Sequence, residues 1–242
     1  MYSNPILFVS LGPGEPELIT LKGLRALQEA DFILCPATGI GKTFSSRATE
    51  IIKQLNISGE KIHLFKLPMN KDRSQALQVY EEMYHSAIDL QQRSFRVVIV
   101  AEGDAGFYSS IHYIYDRLHR ESIPAKLIPG IPAFIASGAL AGLHIVQQEE
   151  RLMVIPGKVS THELVTYLEA DTTVVIMKLS QCTDVIHEFI THYPTYHYHY
   201  FENVGTDKEY YSTDVVGVSA KRFPYFSLMI IKKNNRSARA QR

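Results

Sequence analysis

The stretch Phe95-Arg96-Val97-Val98-Ile99-Val100-Ala101-Glu102-Gly103-Asp104-Ala105-Gly106-Phe107-Tyr108-Ser109 decides the fold. Phe95 to Val100 is a short apolar, β-branched run, which reads as a buried parallel strand. It breaks into Glu-Gly-Asp-Ala-Gly. Beyond the break, Ile111, Ile114, Tyr115 and Leu118 recur at helical spacing up to Arg120. Strand, glycine loop and helix make half of a parallel crossover unit. In open α/β sheets, ligands bind where such loops leave the carboxyl ends of strands. Glycines let backbone approach a ligand closely, and Asp104 offers a carboxylate.

The same pattern extends on both sides. Pro5 to Leu11 predicts a first strand, ended by Gly12-Pro13-Gly14. Leu21, Leu24 and Leu27 follow on one helical face, with Thr20 as N-cap. Asp31 to Cys35 predicts a second strand closed by Pro36, and Ser45 to Leu55 a helix. Lys61 to Phe65 predicts a strand and Asp72 to Arg93 a long helix. After the opening stretch come a strand at Ala125–Ile128 and a small-residue helix at Phe134–Ala141. This alternation is that of an α/β sheet. The polar run Gln147-Gln148-Glu149-Glu150 breaks it, so the expected domains are 1–144 and 150–233, with a disordered polar tail at 234–242. In the second domain, Leu152–Ile155, Thr172–Met177, Tyr196–Phe201 and Tyr225–Lys232 predict strands. Thr161–Ala170, capped by Thr161, and Ser180–His192 predict helices.

Composition narrows the function. Lys+Arg and Asp+Glu are 25 each, so no basic surplus points to nucleic acid. No apolar run approaches the ~18 residues of a membrane span. The N-terminus lacks the features of a secretory signal, and two cysteines, Cys35 and Cys182, make no disulfide framework. A cytoplasmic setting is expected.

Several motifs fall short. Glu17 stands where a dinucleotide fingerprint needs its third glycine, and Pro36 where a phosphate loop ending in Gly41-Lys42-Thr43 needs its first. His197 and His199 share one strand face, but no Cys, Asp or Glu completes a ligand set by spacing, so no metal is expected. Ser109 and Ser110 do not lie in a G-x-S-x-G elbow. Glu102 and Asp104 could act as a carboxylate pair, or one could anchor a ligand and the other be structural.

Leu11-Gly12-Pro13-Gly14-Glu15-Pro16-Glu17-Leu18-Ile19-Thr20-Leu21-Lys22 resembles the N-terminal signature of the tetrapyrrole methylases. Glu102–Ser109 resembles the family's Gly-Asp-Pro loop, and Ile128-Pro129-Gly130-Ile131-Pro132-Ala133 its Pro-Gly loop. Val174–Lys178 and Glu202-Asn203-Val204-Gly205-Thr206 are similar to pieces of the second domain. Two positions depart from the pattern: Ser10 replaces a glycine, and Ala105-Gly106 replace the proline and its successor. The Phe-Tyr-Ser segment, Ser46-Arg47-Ala48 and Glu202–Gly205 most resemble the branch that methylates C20 of precorrin-2.

The resemblance implies two α/β domains with the cofactor cleft between them, in a homodimer. It implies S-adenosylmethionine as cofactor and methyl transfer to C20 of precorrin-2 or cobalt-factor II in cobalamin biosynthesis. Donor contacts are expected at Pro13, Gly103, Asp104, Ala105, Phe107, Ile131, Pro132, Ala133 and Met177, with Asp104 the candidate catalytic residue. The acceptor would be a polycarboxylate tetrapyrrole, held by cations among Lys42, Arg47, Lys66, Lys71, Arg73 and Lys158. Two alternatives stay open. One is a relative acting on a different ring carbon. The other is a non-catalytic protein that kept the fold, supported by the altered Ala105-Gly106 pair.

Overall fold

Val97–Ala101 is a strand whose residues are all buried. A strand hidden on both faces needs neighbours at both edges and helices on both sides. Both conditions are met in the computed structural model of the chain, which describes residues 4–40, 43–44, 46–68 and 73–234. Lys42, Lys71 and the expected tail from 235 onward lie outside the described residues. The chain divides into two compact units, Met1–Pro132 and Ala133–Arg242.

In the first unit the strands are β1 (Ile6–Ser10), β2 (Phe32–Ile40), β3 (Thr43–Phe44), β4 (Ile62–Leu67), β5 (Val97–Ala101) and β6 (Ala125–Ile128). The helices are α1 (Leu21–Glu29), α2 (Arg47–Gln54), α3 (Arg73–Gln92) and α4 (His112–Arg120). The strands lie in the order β4-β2-β5-β1-β6, all parallel, and β3 folds back on the far end of β2. Helices cover opposite faces. Leu27 of α1 and Ile51 and Ile52 of α2 pack with Val9, Ile33, Val98 and Val100 on one face. Met83 and Ala87 of α3 and Ile114 and Leu118 of α4 pack with Phe8, Ile99 and Ala101 on the other. Truncating a side chain such as Phe8 to alanine should cost about 3–5 kcal/mol. Thr20 caps α1, its hydroxyl accepting the Gly23 amide at 3.1 Å.

The second strand corrects the sequence reading, which closes it at Pro36. It runs on to Ile40. Its ladder to β5 stops at Leu34 and Ile99, while that to β4 continues to Thr38 and Leu67. The Pro36 carbonyl turns to the open edge, where the Ser46 hydroxyl donates to it at 3.0 Å. Proline therefore sits where no ladder bond needs its missing N–H.

The second unit opens on α5 (Ala133–Leu140) and continues through β7 (Arg151–Ile155), α6 (Thr161–Glu169), β8 (Thr172–Met177) and α7 (Thr183–His192). It ends with β9 (His197–Glu202), β10 (Tyr210–Ser212), α8 (Val215–Ser219) and β11 (Ser227–Lys232). The sheet order is β10-β9-β11-β8-β7, with only β7 and β8 parallel. Leu164, Leu168, Ile186 and Phe189 pack on Val174, Ile176, Met229 and Ile231 to form its core. Ser160, not Thr161, caps α6. Its hydroxyl accepts the Glu163 amide, and Glu163 accepts the Ser160 amide at 2.8 Å. Such a reciprocal box needs an acid three residues on, and the residue three beyond Thr161 is Leu164. The polar turn before β7 is pinned: Lys232 Nζ donates to the His144 and Ile145 carbonyls and to Glu150. No described helix is long and apolar enough to cross a membrane.

Candidate functional site

Three loops leave the carboxyl ends of β1, β5 and β6, and polar contacts brace them into one body. Gly12 and Gly103 exchange backbone hydrogen bonds, at 3.1 Å and 2.7 Å. Both have positive φ, 79° and 67°, which glycine adopts without strain. Ser10 Oγ accepts the Ala105 amide at 2.8 Å and donates to the Ile128 carbonyl at 2.7 Å. Asp104 is spent on amides: Oδ1 accepts Gly106 N–H at 2.8 Å and Oδ2 accepts Gly130 N–H at 2.7 Å. The packing at Gly130 leaves no room for a side chain. A Cβ there would lie 2.5 Å from Ser10 Cβ and 2.8 Å from the Gly103 carbonyl oxygen.

These contacts bring together Gly103, Asp104 and Ala105 with Gly130, next to Ile131 and Pro132. Pro13 is buried beside Gly12, and Phe107 is half-buried. Ala133 begins α5, and Met177 ends β8, half-buried; both belong to the second unit. Among the candidate cations, Lys66 lies exposed on β4 and Lys158 exposed after β7, while Arg73 begins α3.

Sequence reasoning missed the partners. Gly130 is an amide donor to Asp104 as well as a turn residue. Ser10 is a loop brace, and only its departure from the family pattern marked it. A pairing of Glu102 with α2 was also missed. Glu102 lies close enough to the Ala48 amide and to Arg47 for both to act on its charge. Burial pushes the Glu102 carboxyl up against the opposing pull of Arg47 and that amide.

The second unit has its own polar cluster at the carboxyl end of β9. Glu202 accepts from both the Tyr200 hydroxyl and Lys221, each at 2.7 Å, and the Lys221 ammonium sits 3.9 Å from the Tyr210 ring centroid. Such a cation over an aromatic face is held about 0.5–2 kcal/mol more firmly. Lys178 and Asn203, just past β8 and β9, both have positive φ. His199 Nδ1 lies 2.9 Å from the Tyr211 hydroxyl.

These features define a two-sheet α/β protein in which three loops are braced together at the carboxyl ends of parallel strands. The sequence profile of the tetrapyrrole (corrin/porphyrin) methylases matches residues 5–217, and the chain belongs to that family. It is accordingly a methyltransferase whose donor is S-adenosylmethionine. It is 29% identical over 238 residues to a precorrin-2 C(20)-methyltransferase of Sinorhizobium sp, covering 93% of this chain and 94% of that one. It is 30% identical over 171 residues to a probable cobalt-precorrin-2 C(20)-methyltransferase of Methanocaldococcus jannaschii, covering 70% of each. Among solved structures, a cobalt precorrin-4 methyltransferase superposes with a TM-score of 0.71 at 20% identity, covering 94% of both chains. The uroporphyrin-III C-methyltransferase of Thermus thermophilus, complexed with S-adenosyl homocysteine, does so at 0.66 and 19%, covering 96% and 99%.

The braced loops fit such a donor. Apart from Gly103 and its two chain neighbours, no atom of the described residues lies within 4 Å of where a Gly103 side chain would begin, so the loop backbone borders open space.

Proposed function

We propose that this chain transfers the methyl group of S-adenosylmethionine to C20 of precorrin-2 or its cobalt form. The observation that carries the reading is end-to-end similarity to a precorrin-2 C(20)-methyltransferase, over 93% of this chain and 94% of that one. The resemblance of the Phe107-Tyr108-Ser109 and Glu202–Gly205 segments to the same branch supports it.

The bound donor supplies a methyl group already activated on a sulfonium. The protein's task is then placement, because methyl transfer needs an in-line approach at about 3–3.5 Å more than a strong acid or base. In this reading the open backbone at Gly103 gives the donor close approach. Phe107, Ile131 and Pro132 offer apolar contact, and Asp104 acts as the brace that holds the β5 loop to the β6 loop. Each Asp104 oxygen already accepts a loop amide, a geometry that suits bracing.

The buried free thiols of Cys35 and Cys182 suit a reducing cytoplasm. The homodimer implied by the resemblance is checked by light scattering on the purified chain. Incubation with precorrin-2 and S-adenosylmethionine, followed by mass spectrometry, tests the activity. A gain of one methyl mass supports the reading, and no gain refutes it.

A further inference from the structure

Glu102 is the second carboxylate of the loop after β5, and its surroundings differ from those of Asp104. Beyond Leu34 and Ile99 the strands β2 and β5 are no longer paired. Their connections then leave over opposite faces of the sheet, to α2 on one and α4 on the other. Ligands of open α/β sheets bind in the crevice where neighbouring strands diverge in this way. Glu102 stands at that crevice on the β5 side. Arg47, Ala48 and Glu50 of α2 act on it from the other, and its charge reaches the Cys35 thiol of β2. Glu102 and Arg47 are both half-buried.

A pair drawn partly out of water adds little to stability, because each ion loses hydration. At the ligand end of a sheet, such a group is suited to exchange a proton.

We propose that Glu102 takes the proton that the methylated ring carbon gives up, with Arg47 as the positioning residue that holds its carboxylate in the crevice. This rests on the acceptor proposed above, whose C20 is a meso carbon bearing one hydrogen. As the new carbon–carbon bond forms, the carbon–sulfur bond breaks and its electron pair stays on sulfur. The ring is left with one positive charge. The Glu102 carboxylate accepts the ring hydrogen as a proton, and the C–H electron pair returns to the ring. The carboxylic acid then releases the proton to water. The neighbours suit this role: Arg47 favours the ionised form, burial and Glu50 favour the protonated one, and the Cys35 thiol, pushed up to about 11 by burial, stays neutral beside it. A carboxyl balanced in this way can both take and shed a proton.

The test compares wild type, Glu102→Gln and Glu102→Asp, using the tetrapyrrole that wild type methylates. One readout needs no methyl transfer. With S-adenosylhomocysteine in heavy water, wild type should exchange the hydrogen on the accepting carbon for deuterium, Glu102→Asp should retain part of this, and Glu102→Gln should lose it. Turnover of Glu102→Gln should fall on the order of 100-fold, while S-adenosylhomocysteine affinity by calorimetry stays within about twofold. Exchange that persists in Glu102→Gln, exchange absent from wild type, or turnover within about threefold of wild type overturns the proposal. Exchange and methylation at a carbon other than C20, both lost in Glu102→Gln, would refute the C20 reading and leave Glu102 in its role.

Discussion

Ser10 and Ala105 are 95 residues apart in sequence, yet the serine hydroxyl accepts the alanine amide at 2.8 Å inside the core of the loop cluster. Both residues depart from the family pattern, which has glycine at the first position and proline at the second. A proline has no amide to donate, and a glycine has no hydroxyl to accept. The two departures therefore satisfy each other, and the altered loop is braced rather than merely loosened.

A double-mutant cycle reads this coupling. Ser10→Gly alone strands the buried Ala105 amide and should cost about 1–3 kcal/mol in urea unfolding. In the background of Ala105→Pro that amide is gone, so Ser10→Gly should cost roughly 1 kcal/mol less. Strictly additive costs would contradict the pairing.

Asp104 holds two amides on two loops. Asp104→Ala should strand the part-buried Gly130 amide, leave the exposed Gly106 amide to water, and destabilise by about 1–3 kcal/mol, with Asp104→Asn costing less, since an amide side chain keeps one acceptor oxygen. Loss of the brace should also weaken S-adenosylhomocysteine binding in calorimetry. Donor affinity unchanged in a folded Asp104→Ala protein would show that the brace does not shape the donor site.

Two glycines should fail in different ways. Gly103 borders open space, so Gly103→Val should fold with a cost of about 1–2 kcal/mol from its positive φ, yet weaken donor binding by roughly tenfold or more. Gly130→Ala drives a methyl into Ser10 and the Gly103 carbonyl and should cost about 1–3 kcal/mol of stability. Calorimetry together with melting curves separates the two effects. A Gly103→Val protein with wild-type donor affinity would remove Gly103 from the site.

His199 gives the fold a pH dependence. Burial, with the nearby positive charges of His197 and Lys232, lowers its pKa from 6.5 to about 4. The folded protein keeps the ring neutral while the unfolded chain protonates it, so the unfolded state binds more protons between these values. Stability contributed by His199 is therefore present above pH 6.5 and is lost as pH falls toward 4. His199→Gln should show a shallower fall in melting temperature across that window. An equally steep fall would assign the dependence to other groups.

The sequence made most of the first sheet legible. The β-branched run at 97–100 reads as a buried strand, and the Thr20 cap and the glycines after β1, β5 and β6 mark where chain becomes loop. The misses have a common cause. Pro36 reads locally as a stop, and only the open edge beyond Leu34 makes it tolerable in a strand. Short elements such as β10 and α8 carry too few residues for a period to show. The bonds from Ser10 to Ala105 and from Asp104 to Gly130, and the approach of Glu102 to Ala48, join segments brought together by crossovers, so spacing along the chain holds no trace of them.

The central claim is the carbon that receives the methyl group. Precorrin-2 incubated with the protein and S-adenosylmethionine carrying a carbon-13 methyl group, then examined by carbon NMR, decides it. The account predicts one new enriched methyl signal, attached at C20. Enrichment at another ring carbon such as C11 or C17, with none at C20, would contradict it.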